Sequence, residues 1–491
     1  MFDDLARARI RYCSWKSNEH LLDGLAGETD IDLLVDRVHA DAFDAVALRH
    51  GLKRLRPVAA SDFPGMEHYL GLDRGCGRLF HLHVHHQLVL GEQHVKNHRL
   101  PVEHHLLSET TTLHGVAVPR PEWELAILAV RILLKYRARD AVKDILGIRT
   151  PGIRPPVAAE LQWLLARTTA AAVAAATRDV PAIPTDVVAR FVDTVGRPGR
   201  HGLTMVRLRS RLRRALEHQQ RGSRAGAYRT GAQVRWSEFR RRRSGRGPAK
   251  MTVLHGGTTV AFVGADGAGK STIADANARW LGWKVDARVH YLGSKPPSRA
   301  SATFYLLFRA LRRTERAASS RLGGDAFVAH TVRTTRDIAL ASHHLAVAHQ
   351  RARSRAAGLR DAAAGRVVLF DRYPFEQLPS ARARQLFDGS QIPAAVAGAH
   401  QPIITSLARA EARIYERYEL PDAVVLLDVD PRVASSRKPD HDAGVIFEKA
   451  RAASAIVDLV AQAGSTVVRV DSTMPLEAVI EETKAAVWDA V

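Results

Sequence analysis

The sequence is poor in cysteine and in long apolar runs. Cys13 and Cys76 are the only cysteines among 491 residues, too few for a disulfide framework or for a zinc site built from cysteines. Such sparse use is typical of the reducing cytosol, and we expect a cytoplasmic protein. No stretch approaches the roughly 18 apolar residues of a membrane span, and residues 1–15 lack the apolar core of a signal peptide.

Acidic residues are also scarce, and the imbalance is concentrated in one segment. The chain carries a net charge of +21, and residues 207–250 hold fifteen Lys or Arg against two Glu. Four consecutive arginines, Arg240 to Arg243, follow Trp236 and Phe239 there. Such a segment could bind nucleic acid phosphates or an anionic membrane surface. Its Gly and Ser content favours a solvated linker instead, which is the interpretation we prefer.

The length of the chain predicts roughly two to four domains. Residues 1–105 mix strand-like and helical runs, residues 106–205 are predicted to be helical, and residues 206–255 form the predicted basic linker. In residues 256–491, apolar strands alternate with long helical spans, which predicts a parallel sheet with crossover helices. We therefore expect an α/β fold, a doubly wound parallel sheet with flanking helices, preceded by an α+β domain and a helical segment.

A glycine-rich loop lies between a predicted strand and a predicted helix. It matches the pattern G-x-x-x-x-G-K-[ST] with Gly264, Ala265, Asp266, Gly267, Ala268, Gly269, Lys270 and Ser271. Thr272 follows the pattern. Its glycines allow a tight turn that directs backbone N–H groups at phosphate oxygens, and the following helix adds the positive end of its dipole. Lys270 would reach the β- and γ-phosphates and Ser271 would bind the metal, so we predict ATP and Mg²⁺ as cofactors.

A second motif, VVLFDRY, covers residues 367–373 and ends a predicted buried strand. Asp371 can organise the Mg²⁺ shell, and Arg372 can bind an anionic acceptor in a bidentate manner. The sequence contains no N-K-x-D guanine-recognition motif, which disfavours a GTPase. A solvated turn is the alternative interpretation of the Asp-Arg pair.

These motifs resemble those of the thymidylate kinase-like branch of the nucleoside monophosphate kinases. GADGAGKST is similar to that family's phosphate loop, DRY has the same place after a strand, and AVVLLDVDP leads into a basic segment similar to its mobile lid. The resemblance implies a P-loop kinase in which Lys270, Asp371, Arg372 and, from the lid, Arg437 are catalytic. The lid candidate spans residues 432–442 and includes Arg432 and Lys438.

The chain departs from this family in two places. PFEQLPSARARQ follows Tyr373 where the family has a serine and an A-Y-Q helix that binds the thymine base, and residues 295–365 form a long Arg-rich insert. The resemblance therefore implies phosphoryl transfer to a small anionic or hydroxyl acceptor, which can be nucleotide-like, and does not extend to thymidylate.

The N-terminal region contains a pair of acidic residues within a predicted strand. Asp30 and Asp32 lie two residues apart, which places both carboxylates on one face, where they could share divalent metals or simply be solvated. The segment resembles the active-site strand of the polymerase-β-like nucleotidyltransferases, with Lys16 and Ser17 where that family has Gly-Ser. In place of a third carboxylate, a later predicted strand offers three histidines that share one face, His81, His83 and His85. They could be metal ligands, but a half-exposed polar strand face is the interpretation we prefer.

We therefore predict an ATP-dependent phosphotransferase with an appended nucleotidyltransferase-like domain. One alternative is a metal-dependent nucleotidyltransferase with a regulatory P-loop domain. Another is a nucleic-acid-binding ATPase that uses the basic segment 207–250. The acceptor's identity and the oligomeric state stay open.

Overall fold

The structure is a computed structural model, and it describes residues 1–58, 62–91, 96–145, 153–197, 199, 201–244, 249–295, 297–322, 327–392 and 402–491. The chain divides into two compact units, Met1–Met251 and Thr252–Val491. Among the described stretches, no helix is both long enough and apolar enough to cross a membrane.

The N-terminal unit contains a mixed sheet and two small hairpins. The sheet consists of β1 (Tyr12–Ser14), β2 (Ile31–Val35), β3 (Lys53–Arg56), β4 (Met66–Asp73) and β5 (Arg78–His85), and the hairpins of β6 (Val89–Leu90), β7 (His98–Arg99), β8 (Thr110–Leu113) and β9 (Val116–Pro119). The sheet strands lie in the order β1-β2-β5-β4-β3. β2 and β5 are parallel, and the other neighbouring pairs are antiparallel.

Some helices of this unit lie between the sheet strands in the chain, and most come after the last strand. They are α1 (Phe2–Arg7), α2 (Leu21–Leu25), α3 (Ala40–Arg49), α4 (Glu103–Ser108), α5 (Pro121–Lys135), α6 (Ala138–Ile145), α7 (Pro155–Leu165), α8 (Ala170–Thr177), α9 (Thr185–Val195), α10 (Gly202–Ala215) and α11 (Arg224–Ser244). Leu82 and Val84 of β5 pack with α3 in one buried core. Because side chains alternate along a strand, His81, His83 and His85 lie on the opposite face.

Two sequence-based interpretations of this unit need correction. The segment predicted to be helical, 106–205, contains the hairpin of β8 and β9 between helices α4 and α5. The predicted linker, 206–255, is helical over most of its described length, in α10 and α11. Met205, Leu208 and Leu212 recur at helical spacing and are buried, a pattern that the intervening arginines obscure in the sequence.

The C-terminal unit contains the predicted parallel sheet with flanking helices. Five parallel strands lie side by side in its described part: β11 (Thr258–Gly264), β12 (Ala287–Tyr291), β13 (Val367–Asp371), β14 (Ala423–Asp428) and β15 (Thr466–Asp471), with β10 (Thr252–Val253) preceding them in the chain. Their order is β12-β13-β11-β14-β15. β11, β13 and most of β14 are buried, as expected for strands covered on both faces.

The helices of this unit are the crossovers and the insert. They are α12 (Lys270–Leu281), α13 (Arg299–Leu322), α14 (Phe327–Ala363), α15 (Ala381–Leu386), α16 (Pro402–Tyr415), α17 (Pro431–Arg437), α18 (Ala443–Ala452), α19 (Ser454–Gln462) and α20 (Leu476–Ala490). The Arg-rich insert forms α13 and α14. Carboxyl ends of parallel strands meet at one edge of the sheet, and ligands bind in the crevice where the strand order reverses, here beside β11 and β13.

Candidate functional site

The glycine-rich loop runs from the end of β11 to the start of α12, as the sequence predicts. Gly264 and Gly267 have φ of 146° and 93°, a region that favours glycine. A Cβ atom on Gly264 would lie 2.4 Å from the backbone oxygen of Leu427, and one on Gly267 would lie 2.6 Å from that of Ala434. The loop is therefore held between β14 and α17 in a conformation that only glycine adopts without a clash.

Lys270 opens helix α12 and turns back over the loop. Its ammonium group donates hydrogen bonds to the backbone oxygens of Gly264 (3.0 Å) and Ala265 (2.7 Å). The side chain is buried. Burial and the nearby charges of Arg372 and Lys449 lower the pKa of Lys270 to about 7. A phosphate group would offer this ammonium a stronger acceptor than the two carbonyl groups do.

Ser271, on the first turn of α12, meets Asp371 at the end of β13. The Ser271 hydroxyl donates to Oδ2 of Asp371 at 2.5 Å. Burial raises the pKa of Asp371, and its Oδ1 atom is buried without a hydrogen-bond partner among the described residues. A hydroxyl and a carboxylate with an unsatisfied oxygen fit the preference of Mg²⁺ for oxygen ligands. Thr272 follows, exposed on the same turn.

Asp266, within the loop, is surrounded by positive charge. Arg372 donates to its Oδ1 at 2.8 Å, and the Lys449 ammonium lies 3.6 Å from Oδ2. Lys270 and the His441 ring lie 3.7 Å and 4.0 Å away. Although burial opposes it, Lys449, Lys270 and Arg372 hold the pKa of Asp266 well below its usual range. The loop therefore carries a permanent negative charge at its centre.

Arg372 also connects the loop with the insert. Its guanidinium lies 3.5 Å from Asp388, which accepts a 2.7 Å hydrogen bond from the buried Arg351 of α14. One turn further along α14, Arg355 donates to the Tyr373 hydroxyl at 2.9 Å. Arg372 has φ of 72°, an uncommon backbone conformation for a residue other than glycine and one that concentrates at functional sites. The insert thus supplies two arginines beside the DRY motif.

The sequence did not single out Arg351, Asp388 or Lys449. The spacing of Arg351 and Arg355 was an available signal, because residues four apart share one face of a helix. Asp388 and Lys449 carry no local motif, and only the tertiary structure brings them to Arg372 and Asp266.

The lid candidate folds mainly as α17, in which Ala434 lies against Gly267 of the loop. Arg432, Arg437 and Lys438 are exposed. Arg437, predicted to be catalytic, donates to the backbone oxygen of Ser472 at 2.8 Å, beyond the end of β15. The structure therefore brings Lys270, Ser271, Asp371 and Arg372 to one place and leaves Arg437 directed elsewhere.

In the N-terminal unit, the structure brings the predicted acidic and histidine residues together. Asp32 lies 2.8 Å from the Lys16 ammonium and 3.3 Å from ring nitrogens of His83 and His85. Although burial opposes it, Lys16 and the two histidines hold the pKa of Asp32 well below its usual range. Asp30 lies 3.0 Å from His81 and 3.8 Å from His83. His83 therefore stands between two carboxylates, and Lys16 neutralises one of them.

The Ser17 loop departs from a phosphate-binding arrangement. Ser17 has φ of 58°, and its backbone N–H donates to the Glu160 carboxylate at 2.9 Å. Glu160 also accepts from Arg131 at 3.0 Å. The N–H group that a Gly-Ser loop would direct at a phosphate is engaged here by a carboxylate of the same unit.

Comparisons with known proteins give partial similarities. No family model matches the chain. It is 29% identical over 130 residues to the "Uncharacterized ATP-binding protein YghR" of Escherichia coli K12, and equally to that of strain CFT073, matches that cover 26% of this chain and 48% of each relative. The chain thus spans about half the length of the curated relatives it matches.

Among solved structures, the chain is similar to deoxyadenosine kinase from M. mycoides, with bound dCTP and with bound dATP. The TM-scores are 0.29 and 0.28, at 15% identity. The matches cover 48% and 47% of this chain and 100% and 98% of the kinase chains.

Proposed function

We propose that the C-terminal unit is an ATP-dependent phosphotransferase of the thymidylate kinase-like P-loop class. It transfers the γ-phosphate to a small anionic or hydroxyl acceptor, which can be nucleotide-like. The observation that carries this proposal is the hydrogen bond between Ser271 and Asp371, with Lys270 and Arg372 beside it. It joins the phosphate loop to the DRY motif at the edge of the sheet where ligands bind in such folds.

The ATP side of the reaction follows from the loop. Backbone N–H groups and the start of α12 hold the phosphates, and Lys270 moves from the carbonyl oxygens to the β- and γ-phosphates. Ser271 and Asp371 would hold Mg²⁺, which would neutralise phosphate charge when it is bound. The name of the curated relative, an ATP-binding protein, supports ATP as the donor.

The acceptor side follows from the arginines. Arg372 leaves Asp266 or Asp388 to bind an anionic acceptor, and Arg351 and Arg355 hold the surrounding wall through Asp388 and Tyr373. A guanidinium that already spans two carboxylates is oriented for the bidentate binding of a phosphate or carboxylate.

The proposal is tested by screening metabolite pools with γ-labelled ATP and identifying labelled products by mass. We expect ADP release and one labelled acceptor class. Lys270→Ala should abolish the transfer in a folded protein, because the lysine neutralises charge on the transferring group. Lys284→Ala, beyond the other end of α12, is the matched control. Near-normal turnover of a folded Lys270→Ala protein would contradict the proposal.

Metal-dependent nucleotidyl transfer in the N-terminal unit is a second candidate. The pair Asp30 and Asp32, placed on either side of His83, favours it. In a Lys270→Ala background, which removes phosphoryl transfer at the first site, we expect a component of Mg²⁺- or Mn²⁺-dependent nucleoside triphosphate binding that Asp32→Asn removes, since an amide lacks the charge a hard cation requires. Pyrophosphate release in that background would make nucleotidyl transfer the main activity. Unchanged nucleotide binding in Asp32→Asn would contradict a nucleotidyl-transfer site at Asp32.

A further inference from the structure

A cluster of three histidines lies on one face of the N-terminal sheet. His81 and His83 alternate along β5, so they share a face. On the antiparallel neighbour β4, His68 is the residue directly opposite His83. Directly opposed residues place their Cβ atoms about 4.5–5.5 Å apart. The register of two strands therefore brings three imidazoles together, and one nitrogen from each ring lies within 4.8 Å of the others.

We propose that His68, His81 and His83 bind a late divalent transition-metal ion, of which zinc is the representative. A nitrogen–metal distance of about 2.0–2.1 Å in tetrahedral geometry places two ligand nitrogens roughly 3.3 Å apart. Nδ1 of His68 and Nε2 of His81 are 3.2 Å apart. This separation suits a shared metal ion as well as a shared proton, and imidazole is the ligand that such ions prefer.

Asp30 orients one of these ligands. Its carboxylate lies 3.0 Å from Nδ1 of His81, the ring atom opposite the one that faces His68. A carboxylate that accepts the Nδ1 proton fixes the tautomer in which Nε2 carries the lone pair, and it increases the basicity of that nitrogen. The arrangement is the one found around metal-bound histidines, where the outer partner holds the ring in place.

The burial of the cluster is suited to binding and access. His68 and His81 are buried, whereas the His83 side chain is 21% exposed. An ion can therefore enter beside His83, while the other two ligands are held by the sheet. Three imidazoles leave the fourth tetrahedral position for water or for a substrate oxygen, the arrangement of catalytic zinc sites.

His85, which the sequence grouped with His81 and His83, lies outside this cluster. Its Nε2 atom is 3.3 Å from Asp32, and its ring meets Trp15 edge-on at 5.2 Å between centroids. The proposed ligands are the three histidines, with Asp30 as the partner of one of them, whereas Asp32 pairs with Lys16. The proposal does not depend on the phosphotransferase, whose residues all lie in the other unit.

The test is a Co²⁺ titration of the full chain after removal of metals with a chelator. A weak chelator kept in the buffer competes for ions on surface histidines. Tetrahedral Co²⁺ absorbs visible light strongly, and we expect this band to saturate at one ion per chain and to disappear when Zn²⁺ is added. No tetrahedral band in the wild-type chain would overturn the proposal and leave a hydrogen-bonded histidine network.

Matched variants separate the two possible histidine sets. His68→Gln should lose the band, and His85→Gln, on the same sheet face but outside the cluster, should keep it. Asp30→Asn should keep the band and weaken binding by about 10- to 100-fold. If His68→Gln does not fold, as judged by circular dichroism, the more exposed His83→Gln replaces it. A band that survives loss of His68 or His83, or one that His85→Gln removes, would contradict the assigned ligands.

Discussion

The depressed pKa of Lys270 predicts that ATP binding takes up a proton. The free chain holds this lysine buried beside Arg372 and Lys449, with a pKa of about 7. Bound phosphates would stabilise the ammonium form and raise its pKa. Since the complex then binds more protons than the free chain above pH 7, the affinity for ATP must fall as the pH rises.

The size of the effect follows from the titration of a single group. With a free pKa of about 7 and a fully protonated complex, the apparent dissociation constant increases by about 20-fold, or about 2 kcal/mol, between about pH 7.5 and about pH 9. At the upper end, about one proton is taken up for each ATP bound. Phosphate titrates near pH 6 and does not contribute in this window.

Calorimetry in buffers of different ionisation enthalpy measures both quantities. Binding with Mg²⁺ present should show proton uptake that grows from about pH 7 upward. Lys270→Arg is the control, because arginine stays charged throughout this pH range. Even if this variant binds ATP weakly, its dissociation constant should not change with pH and its binding should take up no proton. A wild-type profile that is flat and free of proton uptake would show that Lys270 is charged in the free chain, and the reasoning from burial would be refuted.

Three further changes have expected outcomes. Arg372→Ala should lower kcat/KM for the acceptor by about 30- to 1000-fold, or roughly 2–4 kcal/mol, because one charge-assisted bidentate contact is lost; a loss confined to ATP binding would contradict the role, and the exposed Arg382→Ala is the control. Asp371→Asn should raise the Mg²⁺ concentration for half-maximal rate by about 10- to 100-fold, and an unchanged Mg²⁺ dependence would argue against it as a ligand. Gly267→Ala should lower the free energy of unfolding by roughly 1–3 kcal/mol, because its Cβ would lie 2.6 Å from a backbone oxygen. Gly51→Ala, also at positive φ but with no atom within 4 Å of the added Cβ, should lower the stability less in thermal denaturation. Equal losses of stability would exclude the clash as the cause.

The sequence predicted four of the five strands of the C-terminal sheet, because they contain short apolar runs, and three of them, β11, β13 and β14, are largely buried. The predicted strands TVAFVG, VVLFD, AVVLLDV and TVVRV match β11, β13, β14 and β15 closely. The edge strand β12 (ARVHY) escaped notice because it is only half-buried and carries polar residues. The loop and the DRY motif were visible because a phosphate site needs particular residues at fixed local spacing.

Site residues that depend on tertiary contacts could not be predicted. Asp388 follows α15 and faces Arg372 at the end of β13, and Lys449 of α18 faces Asp266 in the loop, far away in the chain. His68 was missed because a single histidine in β4 forms no pattern, and only the antiparallel register places it opposite His83. The helix α10 was missed because arginines alternate with the apolar residues that it buries.

The Asp266 carboxylate competes with any incoming anion for the cations of the phosphate loop. It already pairs with Arg372, Lys270 and Lys449. An anion from solution must therefore displace a carboxylate that belongs to the loop itself and whose effective concentration is always high. A lone inorganic phosphate has few contacts with which to do so, whereas a triphosphate adds the loop's N–H groups and a metal ion. We therefore expect the loop to bind nucleotides in preference to inorganic phosphate. Competition of phosphate against ATP measures this selectivity, and Asp266→Asn should bind phosphate more tightly than the wild-type chain.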